Sequence, residues 1–111
     1  MHALKHPKLI FKEEFDERLA FDVAQKGWCG IAMVELPEGG SVDVFFYAPT
    51  RLAQDLEADT KAGYPYVAEP GLIVVPEVTL LYMEAAVEQL YKQGYFKHSV
   101  HSIQTDGTEP G

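Results

Sequence analysis

Residues 42–56 read VDVFFYAPTRLAQDL, and the fold turns on them. Val42, Val44 and Phe46 fall on one face of an extended segment, and Asp43, Phe45 and Tyr47 fall on the other. Alternation of this kind marks a β-strand, and large apolar groups on both faces place it centrally in a sheet. The expected cover is helices on one face and partial cover on the other. Pro49 pushes Ala48 into an extended conformation and ends the strand. Thr50 is then the expected N-cap of a helix over about 51–62, stopped by Gly63. Leu52 and Leu56 give that helix a thin apolar stripe, so it should lie on the surface.

Downstream, LIVV at 72–75 sits between Pro70-Gly71 and Pro76 and reads as a short buried strand. Two strands flanking one helix are expected to be parallel, as in a β-α-β crossover. Thr79 then caps a second helix, with Leu80, Met83, Val87, Leu90 and Tyr91 as its apolar stripe and Gly94 as its stop. Glu88 stands four residues before Lys92, a spacing that suits an ion pair on the exposed face. YFKHSVHSI at 95–103 reads as an edge strand guarded by Lys97, His98 and His101.

Upstream, GWCGIAMVEL (27–36) is a strand joined to the central one by PEGG (37–40), where Gly39-Gly40 supplies the positive φ of a hairpin. KLIFKEEF (8–15) is a half-buried strand. Residues 16–27 carry two conflicting periods. Leu19, Phe21 and Val23 alternate, whereas Phe15, Leu19 and Val23 recur every four. The expectation is an extended or irregular segment.

These elements sum to an α+β two-layer sandwich. A mostly antiparallel sheet of four to six strands is packed by two helices and contains one β-α-β crossover. Residues 1–103 form a single domain and 104–111 a flexible tail.

Of 111 residues, seventeen are acidic and nine basic, for a net charge of −8. That balance argues against a nucleic-acid partner and against an anionic membrane, both of which need clustered lysine and arginine. It suits encounter with a basic protein. The excess is concentrated at 35–59, where only Arg51 opposes six carboxylates. No run approaches the ~18 apolar residues of a spanning helix, and no early apolar run is long enough for a signal peptide. The single Cys29 excludes an internal disulfide and fits the cytoplasm.

Catalytic motifs are weak. APTR has an arginine at a helix start but no glycine for close phosphate approach. Cys29 lacks a nearby cation other than Lys26. His98 and His101, on a strand, would point to opposite faces, so no metal or other cofactor is expected. Two features favour a binding surface. One is the carboxylate set of Glu38, Asp43, Asp55, Glu57 and Asp59; the other is the aromatic loop GYPYVAEPG, with Tyr64 and Tyr66 as anchors.

VDVFFYAPTRLAQDL, GLIVVPEV and MEAAVEQLYKQGYF together resemble the immunity protein eight family of bacterial polymorphic-toxin systems. Ala48-Pro49 stands where that family has Thr-Pro, and Arg51 where it has an aromatic residue. The resemblance implies a small cytoplasmic protein that blocks a toxin and has no catalytic residues. The leading expectation is therefore a non-enzymatic acidic protein-binding domain, of the immunity type, for a basic toxin. One alternative is a small enzyme or ligand-binding domain with a pocket near Cys29, His98 and His101. Another is a structural module that forms a homodimer through a sheet face bearing Phe45 and Tyr47.

Overall fold

The computed structural model describes residues 6–97. In chain order the elements are β1 (Lys8–Phe11), α1 (Glu17–Lys26), β2 (Trp28–Glu35), β3 (Ser41–Tyr47), α2 (Pro49–Lys61), β4 (Leu72–Val74) and α3 (Leu80–Lys92). The strands form one sheet in the order β1-β2-β3-β4. β1 and β3 each pair antiparallel with β2, and β3 and β4 pair in parallel through α2. The fold is α+β, as the sequence pattern requires.

Alternation in β3 fixes which side is core. Val42, Val44 and Phe46 are buried, joined across the sheet by Val34, Cys29 and Ile73. Val23 of α1, Met83 and Val87 of α3, and Phe96 close over this face. Phe46 and Met83 have no exposed surface. Burying a side chain of that size stabilises by roughly 1.5–3 kcal/mol. Among the described residues the core contains no buried polar side chain.

Residues 17–26 are a helix, not an irregular segment. Asp16 caps it by accepting from the Leu19 N–H at 2.9 Å. Leu19 and Val23 face the core while Phe21 is left 67 % exposed, so the four-residue recurrence outweighs the alternation. Burial of Val23 decides the conflict, and Asp16 at the start with Gly27, φ +73°, at the end are the local signals that agree with it. Three helices, not two, are therefore present among the described residues.

α2 also starts earlier than Thr50 suggests. Ala48 is the N-cap and makes no side-chain cap bond; Pro49 occupies the first turn. A proline there loses nothing, because its missing N–H would have had no helical acceptor. The helix ends as expected. Gly63, at φ +101°, lets its N–H reach the Thr60 carbonyl at 3.0 Å and the Tyr64 N–H reach the Asp59 carbonyl at 2.8 Å.

Thr79 caps α3, as expected. Leu80 is 40 % exposed, so the stripe of α3 is narrower than its sequence suggests. Glu88 does not meet Lys92; its carboxylate lies 2.8 Å from His6 Nδ1. Residues 95–97 form a helical turn, not an edge strand, because Phe96 is drawn into the core. The rest of that segment, with His98 and His101, and the tail at 104–111 lie outside the described residues. β1 stops at Phe11, and Phe15 folds back to stack on it at 4.2 Å between ring centroids.

Candidate functional site

The carboxyl end of β3 and the loop that follows α2 frame a recess of about 540 Å³. Tyr47 forms its floor. Asp55 and Asp59 line it from α2, and Tyr64, Tyr66 and Glu69 line it from the return loop. Local sequence explains this arrangement. Asp55 and Asp59 are four apart and project from one helix face. The turn at Gly63 then reverses the chain, so the loop runs back beside the helix. Tyr64 and Tyr66 are each 59 % exposed, and Pro65 between them limits the freedom of the loop. Two aromatic rings thus stand at the mouth of an acidic recess.

The electrostatics are asymmetric. Asp55 is held by Arg51 Nε at 3.0 Å. Arg51 also donates to the Lys26 carbonyl at 3.2 Å, and its guanidinium lies 5.9 Å from the Trp28 ring centre. It therefore ties α2 to the end of α1 and the start of β2. Asp59 and Glu69 supply the recess with negative charge. Burial first, and then the Asp55 carboxylate beside it, push the Tyr47 hydroxyl pKa above its ordinary value. Tyr47 stays protonated at neutral pH and retains a donor.

Four of the seven residues singled out in the sequence meet here: Asp55, Asp59, Tyr64 and Tyr66. The other three lie elsewhere. Glu57 points along another side of α2 and pairs with Lys61 at 3.6 Å. Asp43 lies on the sheet face away from the core, 3.6 Å from Lys12. Glu38 accepts from the Tyr91 hydroxyl at 2.8 Å, beside a second cleft lined by His6, Glu88 and Lys92. That hydrogen bond raises the Tyr91 pKa. Glu69 joins the recess without having been singled out, and Tyr47, expected on a dimer face, lines it too. Glu69 was detectable as the acidic residue of the tyrosine loop; Tyr47 needed the crossover geometry.

Cys29 is 1 % exposed, against Phe46 on the neighbouring strand. Burial raises its thiol pKa, the opposite of what a nucleophile requires. In the folded protein at pH 8 it should resist a small disulfide reagent and react fully once denaturant is added. Rapid reaction without denaturant, followed by thiol absorbance, would show that the β2–β3 core opens.

Among the described residues no three His, Cys, Asp or Glu side chains are grouped to hold a metal ion. None of the helices described is long and apolar enough to cross a membrane. In comparison with known proteins, no family model, no curated protein and no solved structure matches this chain.

Proposed function

We propose that the chain is a non-enzymatic protein-binding domain whose recess receives a lysine- or arginine-bearing segment of a basic partner. The observation that carries this reading is the convergence of Asp59, Glu69, Tyr64 and Tyr66 around one opening. Carboxylates attract the cation, and tyrosine faces stabilise it further by roughly 0.5–1 kcal/mol at an exposed site. The net charge of −8 adds long-range attraction that speeds encounter. An immunity-type inhibitor of a basic toxin, acting in the cytoplasm, is the form of such binding that the resemblance suggests.

Calorimetric titration with an arginine-rich hexapeptide tests this. Asp59→Asn combined with Glu69→Gln should weaken binding about 3- to 10-fold at low salt and flatten its salt dependence. Tyr64→Ala with Tyr66→Ala should weaken it at every salt concentration. Equal binding by all three proteins would remove the recess from the account.

A further inference from the structure

The sheet has a second face, and strand register defines it. Ile10 pairs with Met33, Met33 with Asp43, Phe45 with Leu72, and Tyr47 with Val74. α1 and α3 pack on the opposite side. Ile10, Met33, Phe45 and Leu72 are only partly buried and belong to no part of the core cluster, and Val74 is 47 % exposed. The Trp28 ring packs against Gly30 on β2, where a Cβ would come within 2.5 Å of it. Arg51 and Asp55 of α2 cover the Trp28–Tyr47 end of this face, and Ile10, Met33, Phe45, Leu72 and Val74, from all four strands, remain as an apolar surface that α1 and α3 do not reach.

The edges of the sheet are poor sites for association. β1 has four residues, follows Pro7, begins with Lys8 and is followed by Lys12; β4 has three, between Gly71 and Pro76. Short strands, lysines and prolines discourage edge pairing. The face differs from the edges and also from the rest of the molecule. Its charged groups are Lys8 and Lys12 on the β1 side, and Glu35 and Asp43 on β2 and β3. Away from the Tyr47 end, which borders the acidic recess, these charges sum to zero within a chain of net charge −8. A basic partner gains nothing from a neutral face. Lys12 on the β1 side and Asp43 on β3 flank β2, and that pair complements itself under two-fold rotation about β2.

We infer that this face binds a second copy of the chain. A two-fold axis along β2 lays β1 of each copy over β3 of the other. Met33 then packs near its symmetry mate, and the Lys12–Asp43 attraction is made between copies. Strands ~4.8 Å apart, rising ~3.3 Å per residue and four, eight, seven and three residues long, give a footprint on the order of 350 Å². That is below the ~800 Å² per partner of a standard stable interface, so the dimer is reversible.

Sedimentation velocity over a concentration series tests the inference. The protein should shift from monomer to dimer as concentration rises to several hundred micromolar. Lys12→Glu and Asp43→Lys change exposed residues and leave the fold intact by circular dichroism. Each variant alone should remain monomeric, since its face then carries one excess sign. An equimolar mixture of the two should sediment as a dimer. The inference is overturned if the parent stays monomeric throughout, if either variant associates as the parent does, or if the mixture fails to restore the dimer.

Discussion

Val87→Asp abolishes the cooperative fold at room temperature. Val87 is 2 % exposed on α3, in the cluster that includes Met83 and Phe96. No buried polar side chain stands among the described core residues to receive a carboxylate. The aspartate must lose its hydration or take up a proton, and an unpaired buried carboxylate costs several kcal/mol even after local relaxation. The whole stability of a chain this long is about 5–15 kcal/mol. Val87→Ala, which removes volume without adding charge, should cost only about 1–3 kcal/mol. Leu90→Asp should fall between them, because Leu90 is partly exposed and can turn its carboxylate outward. Thermal melts by circular dichroism give the order. A Val87→Asp protein melting like its parent would mean that α3 presents another face to the sheet.

The second large effect is at Gly71. Its φ is +85°, and a Cβ there would run into the Asp43 carbonyl oxygen and approach the Val44 Cα at 3.2 Å. Both obstacles are backbone of the central strand, so neither can swing aside. The Gly71 carbonyl also accepts from the Phe45 N–H at 2.9 Å, which starts the β3–β4 pairing. Gly71→Ala therefore meets two costs. The left-handed backbone costs about 1–2 kcal/mol in a residue with a side chain, and the overpacking about 1–3 kcal/mol more. Gly39→Ala is the matched control. Its φ is +112°, but its Cβ would meet nothing within 4 Å. Denaturant unfolding should show Gly71→Ala losing at least twice as much stability as Gly39→Ala. Equal losses would place the cost in backbone conformation alone and remove the close approach of β4 from the explanation.

The parts of the fold legible in the sequence are those with one dominant period. β3 alternates cleanly, the hairpin has two adjacent glycines, and α3 carries an apolar stripe with Thr79 before it. Residues 16–27 were not legible, because Phe21 satisfies one pattern and Leu19 with Val23 satisfies both. The sheet, by burying Val23, selects the helix, and the capping pair Asp16 and Gly27 was the local signal that could have found it. The Thr50 cap failed for a related reason. A threonine is the better capping side chain, but Pro49 is preorganised for the first turn and draws the start of the helix upstream. The site was legible in pieces. Asp55 and Asp59 share a helix face by spacing, and the same spacing could have set Glu57 apart from them. Glu38 and Asp43 belong to the same acidic stretch of chain but to different surfaces. Charge density along a sequence does not show which carboxylates converge, because the hairpin and the crossover carry them to different sides.

The most direct test of the proposed site is an NMR titration of the ¹⁵N-labelled chain with the arginine-rich hexapeptide, at low and then high salt. The account predicts amide shifts concentrated at Asp55, Asp59, Tyr64, Tyr66 and Glu69, strong at low salt and reduced at high salt. Shifts spread evenly over the acidic surface, or centred on Glu38 and the cleft beside Tyr91, would contradict it.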